Sequence, residues 1–217
     1  MKIRNIITCL IVLLICIFDV DYNEYSKLKH TSDISIKKED LPEEFSDNAY
    51  KTILQFIQKT RDLDYEWLIY FDYITGEILK CARGESNNVQ ISFEDDEFEE
   101  YNVASIHNHP KKSLSPPSGK NFGILTRDFE DYELIAGFEN FWILKAKGVH
   151  KNLCFQLNSF SDLFHELSFQ FCSNRYGDEE IISRMHDIKY GSELLNYINN
   201  KNIDNIQLIK KEYVTNE

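Results

Sequence analysis

The stretch that decides the fold runs from Ser105 to Asn121 and reads SIHNHPKKSLSPPSGKN. It continues an apolar run that begins at Val103, which predicts a strand entering the stretch. Because residues i and i+2 of a strand project to the same face, His107 and His109 should aim both imidazoles at one point. Two neutral imidazoles converging at a strand end suit a transition metal, with a third ligand from elsewhere and a position left for water. The stretch therefore predicts a zinc hydrolase site.

Length and composition limit the class of protein. The chain has 217 residues, 42% hydrophobic and 13% aromatic, which suits one core-forming domain with extensions. The formal charge is −12, and nucleic-acid binders usually carry a basic footprint, so no nucleic-acid partner is expected. Five scattered cysteines without a Cys-x-x-Cys pair indicate neither a disulfide scaffold nor a cysteine zinc site.

The N-terminus carries a separate apolar segment, residues 6–18, preceded by Lys2 and Arg4. It is shorter than the roughly 20 residues that a membrane-spanning helix needs. Its length suits a signal peptide, yet no small-x-small cleavage site follows it. A signal, a short membrane anchor and a helix packed on the domain all remain open. The expected location is accordingly either cytoplasmic or tethered to a membrane through this segment.

The remaining pattern predicts three regions. Residues 1–45 comprise the apolar segment and a polar linker over 19–45, residues 46–157 form the main domain, and residues 158–217 form a helical C-terminal extension. Ser46 is expected to cap a helix from Asp47 to about Thr60. Further strands are predicted at 66–73, 77–81, 89–93, 132–137, 141–147, 153–157 and 203–209, and further helices at 118–126, 161–172, 178–190 and 192–200. This order indicates a mixed α/β or α+β domain.

The motif His-x-His-Pro, followed by Pro-Ser-x-x-Asn, resembles the JAB/JAMM metalloprotease signature of the MPN superfamily. The resemblance is strongest to the bacterial RadC-type and toxin-associated branches, and it covers residues 46–157. It implies a cytidine-deaminase-like mixed sheet flanked by helices. It also implies one zinc ion held by the two histidines and a downstream Asp, with a Glu on an early strand acting on the zinc-bound water.

The family's catalytic residues carry over to two positions. Glu66 opens the first predicted strand of the domain and is expected to act as general base and then general acid, with Glu77 as its only close rival. Ser118 matches the family's Ser, whose hydroxyl can stabilise the oxyanion of the tetrahedral intermediate. The alternative role for Ser118 is that of a plain helix N-cap.

The third metal ligand departs from the family pattern. Asn121 stands where the family has an Asp, and its distance from His109 is one residue longer than usual. An Asn can ligate zinc only through a neutral carbonyl oxygen, which is a weaker ligand than a carboxylate. Asp128 is the next carboxylate and lies about two helical turns further on. Either residue could complete the set with His107 and His109.

Two functions follow from these residues. The first is a zinc-dependent metallopeptidase or isopeptidase whose substrate is a peptide or a ubiquitin-like tail, laid as an added strand along a sheet edge. The second is an MPN-type binding or scaffold module that has lost its carboxylate ligand. An HNH-type nuclease is disfavoured, because its histidines are spread over a ββα unit and because the chain is acidic.

Overall fold

The computed structural model describes residues 21–85, 88–89, 91–93, 97–110, 115–201 and 206–215. The apolar segment 6–18 lies outside these ranges, so its predicted roles stay open. Within the described ranges, no helix has the length and apolar character needed to cross a membrane.

A six-stranded mixed sheet forms the centre of the molecule, in the order β3-β2-β4-β5-β6-β7. Strands β4 and β5 run parallel, while the other neighbouring pairs run antiparallel. A short ribbon pairs β1 with β8. In chain order the strands are β1 Ile34–Ser35, β2 Trp67–Asp72, β3 Ile78–Arg83, β4 Val103–Asn108, β5 Glu130–Ala136, β6 Asn140–Ala146, β7 Ile206–Glu212 and β8 Val214–Thr215.

One face of the sheet is covered by helix α1, Asp47–Thr60. As predicted, Ser46 caps this helix, its hydroxyl accepting a hydrogen bond from the backbone N–H of Ala49 at 3.0 Å. The helix buries an apolar stripe that includes Ile53 and Phe56, both fully enclosed. This stripe packs in one core cluster with side chains of β2, β4 and β5.

The segment predicted as a polar linker contributes to the same core. Tyr25, Ile36 and Phe45 are buried within the cluster around α1. The ring of Phe45 stacks on that of Tyr73 with centroids 5.1 Å apart. Because apolar residues are interspersed among charged ones, the stretch reads as a linker, whereas its described part packs on the domain.

The other face is covered by helices α2, Lys151–Arg175, and α3, Glu179–Asn199. The predicted strand at 153–157 is wrong, because these residues belong to α2, and Leu153 and Leu157 bury one helical stripe against β6. The predicted break at Gly191 is also wrong, because α3 continues through it. A Cβ atom there would lie 2.9 Å from the Trp142 ring, so this glycine permits close packing.

The region between β3 and β4 differs from the prediction as well. In its described residues, the expected strand at 89–93 has no strand pairing. Instead Val89, Ile91 and Phe93 pack beside Leu68 and Tyr70 in a small apolar cluster on the α2 side of the sheet. The predicted fold class, a mixed α/β domain with helices on both faces of a mixed sheet, is confirmed.

Candidate functional site

The site lies on the α2 side of the sheet, where polar side chains interrupt the apolar faces of β2, β4 and β5. Cross-strand pairing sets Leu68 opposite His107 and Ser105 opposite Glu133, so these side chains share one face. A cavity of about 360 Å³ opens there. Its lining includes all five site residues predicted from the sequence, Glu66, His107, His109, Ser118 and Asn121, and also Glu133, which was not predicted.

The two histidines meet at their Nε2 atoms, which lie 3.1 Å apart. Both residues are buried, with 5% and 7% of their surface exposed. Two imidazoles on a tetrahedral zinc ion would hold their nitrogens about 3.3 Å apart, so the pair fits this metal by ligand type and by spacing. Burial, and then the neighbouring His109, hold the pKa of His107 well below its usual range. His107 is therefore neutral, as a metal ligand must be.

The residue between the histidines anchors the strand end. The Oδ1 atom of Asn108 accepts a hydrogen bond from the Trp67 backbone N–H at 2.6 Å, and its amide donates to the carbonyl oxygens of Thr60 and Tyr65. The His109 backbone N–H donates to Ala136 in β5. These bonds fix the direction of both imidazoles from the opposite side of the strand.

Asn121 presents its amide nitrogen to the histidines, not its carbonyl oxygen. Its Oδ1 accepts hydrogen bonds from the backbone N–H of Ser118 at 2.6 Å and from the Ser118 hydroxyl at 3.0 Å. Its Nδ2 lies 3.0 Å from His107 Nε2. Metal ligation by Asn121 would require the amide to turn over, which would set its NH₂ group against the Ser118 N–H. The alternative ligand Asp128 is exposed and does not line the cavity.

Glu66, which the sequence predicted as the proton carrier, is buried at the wall of the cavity. It directly precedes β2, and its backbone exchanges hydrogen bonds with Gly84 and Glu85 across the hairpin. Only 7% of Glu66 is exposed, and this burial raises its pKa to about 7, against a smaller opposing effect of Lys120. The rival Glu77 is exposed at the far end of the hairpin and does not line the cavity.

Ser118 is held in the loop that enters the 3-10 helix Gly119–Thr126. Helix α3 fixes this loop, because the Tyr190 hydroxyl donates to the Pro117 carbonyl at 2.9 Å and contacts Ser161 of α2 at 2.6 Å. The Ser118 hydroxyl donates to Asn121, and Ser118 also lines the cavity. Both roles considered for this hydroxyl, in structure and in catalysis, are compatible with its position.

Sequence reasoning missed the carboxylates that β5 brings to the site. Glu133 is 6% exposed, and burial, followed by the nearby Glu130, raises its pKa to about 8. Glu130 accepts hydrogen bonds from the Ser105 hydroxyl and, at 2.5 Å, from Arg127. The available signal was a charged residue inside the apolar run from Tyr132 to Ala136.

Metal-binding capacity rests on the histidine pair and the amide beside it. Within the described part of the chain, no three His, Cys, Asp or Glu side chains converge as a metal-binding group. The donor set is thus two imidazoles, with Asn121 and Glu133 adjacent. The two histidines that the JAB/JAMM resemblance implies as ligands lie side by side, and the position at which it implies an Asp carries the amide of Asn121.

The comparisons with known proteins add no relative. No protein-family model matches the chain, and neither a curated protein nor a solved structure matches it.

Proposed function

We propose that the chain is a zinc-dependent metallopeptidase or isopeptidase of the JAB/JAMM type. The observation that carries this proposal is the pair of Nε2 atoms 3.1 Å apart in a cavity that Glu66 also lines. A pair of imidazoles, of which that of His107 is neutral, beside a carboxyl group with a pKa of about 7 is suited to metal-assisted hydrolysis near neutral pH.

Each side chain has a definite task in this proposal. His107 and His109 would hold zinc, which when bound supplies Lewis-acid activation of water and carbonyl groups. Glu66 takes a proton from the attacking water and returns it to the leaving amine, because a group whose pKa lies near the working pH serves in both directions. Ser118 stands at the cavity wall, where its hydroxyl can turn from the Asn121 carbonyl, which keeps the Ser118 backbone N–H, and donate to a developing oxyanion.

The sheet supplies a place for an extended substrate. Strand β3 is an outermost strand of the six-stranded sheet, next to β2, and Glu66 lies at the end of β2 that is bonded to β3. A peptide or a ubiquitin-like tail added beside β3 would extend the sheet next to β2, whose residues Leu68 and Tyr70 line the cavity. Backbone pairing would then provide affinity without demanding a particular sequence.

Metal content tests the proposal directly. Elemental analysis of the full chain purified without chelator should find close to one zinc ion per chain. His107→Ala should lose it, because one imidazole alone binds too weakly to survive purification. The exposed His30 provides the matched control, since His30→Ala should retain zinc. A wild-type chain that takes up no metal after zinc supplementation would contradict the proposal.

A second candidate function is a non-catalytic binding module of the same fold. The observation that favours it is the Asn121 carbonyl, which is engaged by Ser118 rather than turned to the histidines. A peptide-library screen that includes isopeptide-linked ubiquitin-like tails separates the two functions. Cleavage by the zinc-loaded chain supports the peptidase, whereas binding without cleavage supports the module.

A further inference from the structure

One carboxyl group at the site has no role in the reaction outlined above. The Oε1 atom of Glu133 accepts a hydrogen bond from Asn121 Nδ2 at 2.9 Å and lies 3.6 Å from His107 Nδ1. Its other oxygen, Oε2, is buried and has no hydrogen-bond partner among the described residues. Pairing of β5 with β4 sets Glu133 opposite Ser105, so the sheet itself holds the carboxyl group beside the histidines.

A carboxyl group this deeply buried requires a compensating partner if it is to be ionised. The nearest guanidinium, that of Arg127, donates to Glu130 and to the Tyr70 hydroxyl through Nη1. Asn121 and neutral His107 offer hydrogen-bond donors but no positive charge. A cation held at the histidine pair would add to the positive charge of Arg127, which already favours the ionised form of Glu133.

The contacts of Glu133 also define how it would act on such a cation. It lies on the Nδ1 side of the His107 ring, while Nε2 faces His109. A carboxylate near Nδ1 favours the tautomer that carries the proton there, which puts the lone pair on Nε2, where a metal would have to displace the Asn121 amide. The Asn121 amide lies 3.0 Å from Nε2 and 2.9 Å from Glu133, so Glu133 also orients the residue at the third ligand position.

We propose that Glu133 is the positioning carboxylate of the metal site and supplies, from β5, the negative charge that the family's Asp would have supplied at position 121. It orients His107 through Nδ1 and Asn121 through its amide without binding the metal itself. This inference rests on the proposed function, because it requires that the histidine pair holds a metal ion.

Zinc affinity measured by competition with a chromophoric chelator tests the inference on the full chain. Glu133→Gln keeps the shape of the side chain and removes its charge. It should weaken zinc binding about 10- to 100-fold, which is the usual effect of removing a residue that positions a metal ligand. Asp187→Asn is the matched control. Asp187 lies on helix α3, and its largely buried carboxylate accepts a hydrogen bond from the Ser115 N–H. Its replacement should leave zinc affinity unchanged.

A rescue variant separates the charge from a general structural effect. Asn121→Asp alone should tighten zinc binding roughly 10-fold or more, because a charged ligand replaces a neutral one. The gain should be larger when Glu133→Gln is also present, because the new carboxylate then has no like charge beside it. The double variant should therefore recover at least the wild-type affinity. A purely structural role for Glu133 would make the two effects additive, so that the double variant gains no more than Asn121→Asp gains alone.

The remaining outcomes each decide the question. Equal zinc affinity of Glu133→Gln and wild type overturns the positioning role and leaves the proposed function standing. A wild-type chain without zinc affinity overturns both, and it is recognised in the first titration. The visible spectrum of the cobalt-loaded protein should keep its shape in Glu133→Gln, and a changed spectrum would make Glu133 a direct ligand. Equal thermal unfolding of the metal-free variants confirms that each one folds.

Discussion

The two faces of the central sheet use the same strands for different purposes. Toward α1, strands β2, β4 and β5 present Ile69, Ile106 and Leu134, which belong to one hydrophobic core cluster. Toward α2, the alternate positions of β4 and β5 present His107 and Glu133, which are buried and polar. Because side chains alternate along a strand, one set of backbone hydrogen bonds supports both faces.

The face toward α1 therefore mainly stabilises the fold, and the face with the cavity carries the groups proposed for chemistry. Burial of apolar side chains against α1 stabilises the fold. On the other face, desolvation destabilises the charged forms of the buried titratable groups and shifts their pKa values. Substitutions toward α1 should mainly affect folding. Substitutions at the cavity should mainly affect metal binding and turnover, with little loss of stability.

The largest expected effect is on turnover and concerns Glu66. Glu66→Gln should keep both the fold and the zinc ion while lowering kcat about 10²- to 10⁴-fold, because it removes the group that moves the proton. The measurement is single-substrate kinetics on any peptide that the library screen identifies, together with zinc analysis. Glu77→Gln is the control and should retain activity, since Glu77 is exposed at the far end of the hairpin. Full activity of Glu66→Gln would remove Glu66 from the mechanism.

The next effect is on the opposite face and concerns stability. Phe56→Ala should lower the free energy of unfolding by about 3–5 kcal/mol, because removal of this fully buried ring leaves a cavity in the core. Urea denaturation provides the measurement. Phe155→Ala is the matched control, since that ring is 75% exposed, and its effect should stay within about 0.5 kcal/mol. Similar losses of unfolding free energy in the two variants would contradict the conclusion that the face toward α1 mainly stabilises the fold.

The parts of the fold that the sequence predicted are those encoded by local patterns. Helix α1 was recognisable from a capping Ser46 and a helical apolar stripe, and the strand that leads to His107 and His109 from an apolar run followed by a Pro. Convergence of the two imidazoles followed from the two-residue repeat of a strand. These features depend on residues close together in the chain, so they could be inferred without the tertiary structure.

The missed features depend on partners that are distant in the chain. Glu133 joins the site only because β5 pairs in parallel with β4, and the sequence contains no local mark of that pairing. Gly191 lies inside α3 because the Trp142 ring packs against it, although a glycine there resembles a helix end. The direction of the Asn121 amide is likewise set by Ser118 and Glu133 together.

The smallest expected effect is a pH dependence of stability that originates on the cavity face. The pKa of Glu66 is about 7 in the folded chain, above its ordinary value of 4.5. The folded state therefore holds this proton more tightly than the unfolded state. The resulting stabilisation is complete below about pH 4.5 and is lost as the pH rises through 7. For the metal-free protein kept in chelator, the contribution of Glu66 to this loss between pH 5.5 and 7.5 is about 2 kcal/mol.

Glu66→Gln isolates this contribution, because an amide of nearly the same shape has no proton to lose in this range. Urea denaturation at both pH values should show a loss of stability about 2 kcal/mol smaller in the variant than in the wild type. Raised pKa values at Glu130 and Glu133 act in the same direction and remain in the variant, so some dependence should persist. Phe56→Ala should shift stability equally at both pH values, because it removes no titratable group. An unchanged pH dependence in Glu66→Gln would mean that the Glu66 carboxyl group is solvated in the folded chain, and it would remove the basis for proton transfer by this residue near neutral pH.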